Sequence, residues 1–256
     1  MSETVELADG TTTTQQALWK ARSAQVAQVA QNPALFAEHL APESGAGRVL
    51  LCVDERVQPL PAELSRMEPF RLAGSGILLG KTYEDSLQQA ETLLHGRVKL
   101  VTWHRGCRAA AEAQRRFGAS GDVDEFARRF AEELAGRLGV ECVELPRRGP
   151  LDFHDARGVV YDGSGRYRPA DHLPPMFVVS RALLNDPAPA LAELHTALRI
   201  AMGPHGFSSR FSEQPFLIVV LAQSQDQLDE LMEEVRSQQP YFDPARVKVL
   251  GALVAV

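Results

Sequence analysis

The sequence predicts an α/β fold: a mainly parallel sheet flanked by helices, with an additional α/β extension at the C-terminal end. Three observations carry this. Short apolar runs at 48–53, 98–103, 140–145, 158–161 and 216–222 have the length and residue types of buried strands. Segments with helical spacing and capping residues lie between most of them, and that alternation is the pattern of a parallel sheet. The chain of 256 residues, 45% hydrophobic and 23% charged, can bury a full core and lacks the composition of a disordered chain. The expected division is a core with N-terminal helices over 1–170 and an extension packed on it over 171–256.

Residues 1–13 are polar, with Gly10 inside a run that ends in threonines, and are expected to fray. Residues 15–30 are strong helix formers. Asn32-Pro33 reads as an N-cap with proline at the first helical position, opening a helix over 34–40. A loop at 42–47 precedes the strand at 48–53. Pro59 and Pro61 mark a turn-rich passage. The run Pro69-Phe-Arg-Leu-Ala-Gly74-Ser-Gly76 reads as a strand ending in a glycine turn. Tyr83, Leu87, Ala90 and Leu94 are spaced for a helix over 82–95, with Gly96 as its stop. After the strand at 98–103, helices are expected at 107–117 and 122–138, with Asp122 as an N-cap. Strands follow at 140–145 and 158–161, the second closed by Asp162-Gly-Ser-Gly165. Prolines at 174, 175, 187 and 189 make the next stretch less regular. A helix is expected over 190–202, a glycine-rich loop at 203–206, a strand at 216–222, a helix at 225–238 and a last strand at 247–256. The apolar stripe of the 225–238 helix (Leu228, Leu231, Met232, Val235) reads as core.

Charge and composition exclude several classes of function. Lys+Arg 27 against Asp+Glu 33 gives a net charge of −6, so no overall basic field recruits nucleic acid or an anionic membrane. No apolar run approaches the roughly 20 residues needed to span a bilayer. The acidic start, Met1-Ser-Glu-Thr-Val-Glu, lacks the basic and apolar parts of a signal peptide. The three cysteines, Cys52, Cys107 and Cys142, do not make a disulfide framework; reduced thiols in a cytoplasmic protein are the expectation.

Two of those thiols carry the chemistry. Leu50-Leu-Cys52-Val-Asp54-Glu-Arg56 follows one strand, and Val101-Thr-Trp-His104-Arg-Gly-Cys107 ends another. In an open α/β sheet, ligands bind at the carboxyl ends of strands. Residues 52, 54 and 56 alternate, so extended backbone would point a thiol, a carboxylate and a guanidinium to one side. His104 and Cys107 are spaced i, i+3, which a helical turn brings onto one face. Two thiolates and a neutral imidazole suit Zn²⁺, and three protein ligands leave a fourth position open, the catalytic pattern. Asp54 could orient a zinc-bound water or take the fourth position itself; a bidentate pairing with Arg56 would hold it off the metal. Cys142 reads as core packing. His154, His172 and His205 fall in loops and read as ordinary polar residues, and Arg147-Arg148 as solvated or interface charges. The Gly74-Ser-Gly76 turn lacks the acidic residue and the full βαβ pattern of a dinucleotide site, and reads as a backbone turn beside the metal pocket.

The order Cys52-x-Asp54-x-Arg56, then Ala73-Gly74, then His104-x-x-Cys107 resembles the β-class carbonic anhydrases. Asn32-Pro-Ala-Leu-Phe and Gly158-Val-Val-Tyr-Asp162 are similar to that family's flanks, and the likeness runs from Ala17 to Arg168. The resemblance implies a β-carbonic-anhydrase-like core and zinc on Cys52, His104 and Cys107. It further implies an Asp54–Arg56 dyad, homodimers or higher homo-oligomers, and a lyase that reversibly hydrates carbon dioxide to bicarbonate. Carbonyl sulfide and carbon disulfide are the nearest alternative substrates. This chain departs from the family at Trp103 and Arg108, where glycines are usual, and at Leu72 and Glu55. Trp and Arg in place of glycine are expected to narrow the pocket. The alternative is therefore a non-catalytic relative whose zinc braces the fold, with residues 171–256 supplying an interaction surface.

Overall fold

The structure, a computed structural model, describes residues 3–40, 46–58, 60–207 and 214–254. Most of the loop expected at 42–47, Pro59, and the last two residues of the strand expected at 247–256 lie outside the described residues. Contacts divide the chain into two compact units, Met1–Leu40 with Arg148–Val256, and Ala41–Arg147.

The first unit opens with a hairpin. Strands β1 (Thr4–Glu6) and β2 (Thr12–Thr14) pair antiparallel, with Val5 opposite Thr13. This corrects the expectation that the start of the chain frays. Val5 and the threonines are β-branched and suit strands, and Asp9 Oδ1 accepts from both the N–H and the hydroxyl of Thr11, tightening the turn. Helix α1 (Gln15–Gln31) starts where Thr14 Oγ1 accepts the N–H of Ala17. Helix α2 (Ala34–Ala37) is a single turn, shorter than the expected 34–40, and buries Phe36.

The second unit contains strands β3 (Arg48–Leu51), β4 (Glu68–Arg71), β5 (Leu100–Trp103) and β6 (Glu141–Glu144), and helices α3 (Tyr83–Leu94), α4 (Arg108–Arg116) and α5 (Val123–Leu138). All four strands are parallel, in the order β4-β3-β5-β6. Strands β3 and β5 are central, and their near-continuous apolar sequences fit strands covered on both faces. Val49 lies opposite Leu100 and Leu50 opposite Val101. Val49, Leu51 and Leu100 therefore share one face, where they pack with Val57 and Leu145. Helix α5 packs on β5 and β6 and against α3 and α4. Tyr83 of α3 sits between the rings of Phe126 and Phe130, joining α3 to α5.

The rest of the first unit comprises β7 (Gly158–Asp162), β8 (Met176–Val179), α6 (Pro187–Met202), β9 (Phe216–Ala222), α7 (Gln225–Arg236) and β10 (Val247–Leu253). The strands form a second parallel sheet in the order β10-β9-β7-β8. Every residue of central β9 is buried, which is why its sequence shows no alternation. Val160, Val178, Leu217, Val219 and Leu221 join Val26 and Val29 of α1 and Phe36 of α2 in one core. Helix α6 packs on β7 and β8, and α7 on β9 and β10.

The α/β class with parallel strands is as expected, but among the described residues the strands form two four-stranded parallel sheets rather than one. Strand β8 has no counterpart in the sequence reading, because prolines 174 and 175 obscure a run of only four residues. The boundary expected at 170/171 runs between β7 and β8, which are hydrogen-bonded neighbours in one sheet. Helix α6 begins at Pro187 rather than 190: its first turn tolerates proline, and Asp186 Oδ1 caps it by accepting the N–H of Ala188. No helix among the described residues is long and apolar enough to cross a membrane.

Arg181 grips Glu234 of α7 in a fork, Nε to Oε2 at 2.8 Å and Nη2 to Oε1 at 2.7 Å, and Tyr161 Oη donates to Oε2 at 2.8 Å. Burial pushes the Glu234 carboxyl up, but the Arg181 and Tyr161 bonds outweigh it and hold the group below its ordinary 4.5. A depressed folded-state value contributes stability above the unfolded value and loses it as pH falls through the folded value. Unfolding free energy should therefore decline as pH is lowered from about 5 into the range below 4.5. Glu234→Gln should flatten that decline, read by urea denaturation across pH. At Gly158 an added Cβ would collide with the Leu217 carbonyl oxygen and the Met176 side chain. Gly158→Ala should cost about 1–3 kcal/mol, seen as a lower urea midpoint at unchanged slope.

Candidate metal centre

The site lies within the second unit, past the carboxyl ends of its two central strands. Cys52 follows β3 by one residue and His104 follows β5 by one residue. Because β3 and β5 are parallel neighbours, their ends lie side by side, and the two side chains arrive together. Cys107 comes three residues later, at the N-cap of α4. The Sγ atoms of Cys52 and Cys107 are 3.9 Å apart, far beyond a disulfide bond. The ligand atoms of Cys52, His104 and Cys107 all lie within 4.8 Å of one another, and all three residues are buried. Together they form a group that could hold a metal ion.

The local geometry is not the one the spacing suggested. Strand β3 ends at Leu51, and Glu55–Val57 form a turn of 3-10 helix. Residues 52, 54 and 56 are gathered by that turn rather than by strand alternation. Asp54 Oδ1 accepts the Arg56 N–H at 2.9 Å, capping the turn. The Arg56 side chain then folds back on the same carboxylate, Nε to Oδ1 at 3.0 Å and Nη2 to Oδ2 at 2.8 Å. Nη2 also donates to the carbonyl of Gly106 at 3.1 Å. Similarly, 104–107 is a turn rather than helix: Gly106 sits at φ +63, a conformation glycine adopts without strain. The Gly106 N–H donates to Asp124 Oδ1 at 2.6 Å.

Each buried polar atom has a definable role. His104 Nδ1 is 3.0 Å from the Arg105 carbonyl, which can only accept, so this nitrogen donates; burial opposes a charge on the ring, but Cys52 and Asp54 hold it above its ordinary value. His104 Nε2 is buried without a hydrogen-bond partner, within 4.8 Å of both sulfurs and 3.7 Å from Asp54 Oδ2. The Gly74 N–H donates to Cys52 Sγ at 3.2 Å. It does so from a tight turn in which Gly74 and Ser75 have φ 54 and 57. A serine in that region is strained, at an order of 1 kcal/mol, and its hydroxyl is anchored to the Thr102 carbonyl at 2.6 Å. The expectation of a backbone turn beside the pocket holds here, with the addition that its N–H is aimed at a thiol.

The sulfurs and the guanidinium are shifted in directions that follow from these contacts. Hydrogen bonding to Cys107, with burial adding to it, pushes the Cys52 thiol well up. The same bond lowers Cys107; burial opposes it, and the N–H groups of Ala110 and Ala109 at the start of α4 assist. One contact between the sulfurs, in which either could be the donor, thus moves the two thiols in opposite directions. Burial works against the charge on Arg56, but Asp54 overrides it and holds the guanidinium above its ordinary value.

Two residues behave differently from the sequence reading. Arg147 is not a solvated charge: it is half-buried, its guanidinium packs against Gly106, and burial and then Arg56 hold it below its ordinary value. An Arg pair after a strand is too common a sequence feature to reveal that contact. Arg108 is exposed and Trp103 buried in β5, so of the two residues expected to narrow the pocket only Trp103 lies inside the fold. Cys142 is half-buried in edge strand β6, where burial pushes its thiol up to about 11. Comparison with models of protein families, with curated proteins and with solved structures finds no match.

Removing one partner of a buried pair strands the other's charge. Asp54→Asn should lower stability by about 3–5 kcal/mol, and Asp54→Asn with Arg56→Met should recover part of that loss. A double-mutant cycle by guanidinium denaturation measures the coupling.

Proposed function

We propose that residues 41–147 hold a Zn²⁺ ion on Cys52, His104 and Cys107 and that the protein hydrates a small linear electrophile, carbon dioxide foremost. The observation that carries this reading is the convergence of three buried donor atoms beside a carboxylate already clasped by a guanidinium. Zinc fits the donor set. A Zn–S distance of about 2.3 Å at a tetrahedral angle separates two sulfurs by about 3.8 Å, against the 3.9 Å observed. The unpartnered Nε2 of His104 is the kind of buried lone pair that a metal satisfies. When bound, such an ion supplies Lewis acidity and lowers the pKa of a water to about 7.

The chain's own residues would do the rest. Arg56 occupies both oxygens of Asp54, which favours an orienting role for the carboxylate over metal ligation. Asp54 would accept a hydrogen bond from that water and aim its oxygen lone pair at the substrate carbon. In the overall reaction the water oxygen bonds to that carbon, one C=O bond becomes a single bond, and a proton leaves to solvent, giving bicarbonate. Burial of the cluster strengthens each electrostatic contact. The motif order shared with β-class carbonic anhydrases supports the same substrate, a homodimeric or larger assembly and a cytoplasmic setting for the reduced thiols. Carbonyl sulfide or carbon disulfide would suit the same chemistry.

A second reading, a zinc that only braces the fold, is favoured by one observation: Cys52, Asp54, Arg56, His104 and Cys107 are all at most 3% exposed. Metal analysis and stopped-flow carbon dioxide hydration on one sample separate the two. We expect one zinc per chain, lost in Cys52→Ser and His104→Ala, and hydration that Asp54→Asn cuts by about 10²-fold or more while zinc is retained. Zinc-free protein would sink both readings; full zinc without hydration of any of the three substrates would leave the bracing role.

A further inference from the structure

In the first unit, His39 and His172 meet across 133 positions of sequence, with their Nε2 atoms 3.0 Å apart. Their ring centroids are 4.6 Å apart and the ring planes stand at 63°. The geometry points to a second metal site: we infer that His39 and His172 together bind one divalent transition-metal ion of the nickel–copper–zinc group through their Nε2 atoms.

The two distances taken together carry the inference. A linear Nε2–H···Nε2 hydrogen bond at this length would hold the centroids roughly 5.3 Å apart, because each centroid lies behind its nitrogen on the same line. The observed separation is shorter, so the rings are folded toward each other and the angle between their planes excludes a parallel stack. Suppose instead that both nitrogens point at one ion about 2.05 Å away, at an angle near 90°. They then stand about 3.0 Å apart with centroids about 4.7 Å apart, a close fit to both observed distances. Imidazole is the ligand these borderline ions prefer, and waters can fill the remaining positions.

Both histidines are held in register by their backbones. The carbonyl of His39 accepts the Arg168 N–H at 2.8 Å, and Leu40 bridges to Tyr167. On the other side, the carbonyl of Asp171 accepts from Gln25 Nε2 of α1 at 3.3 Å, and Leu173 closes a turn onto Ala170. The donors are therefore pre-positioned, and an ion would clasp the segment after α2 to the loop before β8. His172 is exposed and His39 half-buried, so an ion can reach them from solvent.

The test is isothermal titration of untagged full-length protein, carrying one zinc per chain and dialysed free of further metal, with Ni²⁺ at pH 7.5, with thermal unfolding of the same samples. Wild type should take up one Ni²⁺ with a rise in melting temperature. His39→Gln and His172→Gln should each weaken uptake by at least the ~10-fold that losing even an outer partner of a metal ligand costs, and abolish the thermal shift. His95→Gln, an exposed lone histidine in the other unit, should leave both unchanged. The inference is overturned by no Ni²⁺ uptake in wild type or by uptake that persists in both variants, as binding at the thiols would. Loss in one variant alone, the mark of a single imidazole, would overturn it as well.

Discussion

Strands β3 and β5 of the second unit are parallel neighbours, and the candidate metal centre depends on that pairing. Parallel neighbours finish on the same side of a sheet, less than 5 Å apart. The first residue past each strand, Cys52 in one case and His104 in the other, is thereby delivered to one place. The register is held from the side as well. Thr102 Oγ1 donates to the Leu50 carbonyl and Ser75 Oγ donates to the Thr102 carbonyl, so the strand ends and the 73–76 turn move as one piece. Slipping β5 by one residue would carry His104 and Cys107 away from Cys52 and turn Val101 to the wrong face.

The polar atoms gathered there fall into two groups. The Asp54–Arg56 pair is held by its own hydrogen bonds: the carboxylate takes three N–H donors from Arg56 and the guanidinium also reaches a carbonyl. A buried ion pair satisfied in that way repays much of its desolvation, and becomes costly only when one partner is removed. The Cys52, His104 and Cys107 atoms are not saturated. The two sulfurs lie at contact distance of each other, and His104 Nε2 has no hydrogen-bond partner. A dyad bonded to itself beside a donor triad with an unpartnered nitrogen is the arrangement of a group that could hold a metal ion.

The first unit repeats the parallel architecture, and among the described residues none of its strand ends carries a Cys/His donor group. Its sheet is also parallel, and β9 is buried along its whole length, but the ionisable groups near β7 close on themselves: Arg181, Glu234 and Tyr161 satisfy one another. Its metal-binding potential lies elsewhere, where the segment after α2 meets the loop before β8 and two imidazoles converge.

What the sequence determined by itself was the local structure and the inventory of reactive groups. The Asp122 cap and the apolar runs of β3, β5 and β9 are decided within a few residues, so those elements could be read directly. Cys52, Asp54, Arg56, His104 and Cys107 could be singled out because their spacing around strand ends is itself local. Strand β8 and the opening hairpin were missed because short strands are stabilised by partners distant in the chain or by turn bonds that no periodicity reveals. Tertiary structure alone decided that the parallel strands fall into two sheets, that Arg147 packs on Gly106, and that His39 meets His172. Each of these is a contact between groups whose separation in space is set by the packing of whole elements, and no spacing rule along the chain encodes it.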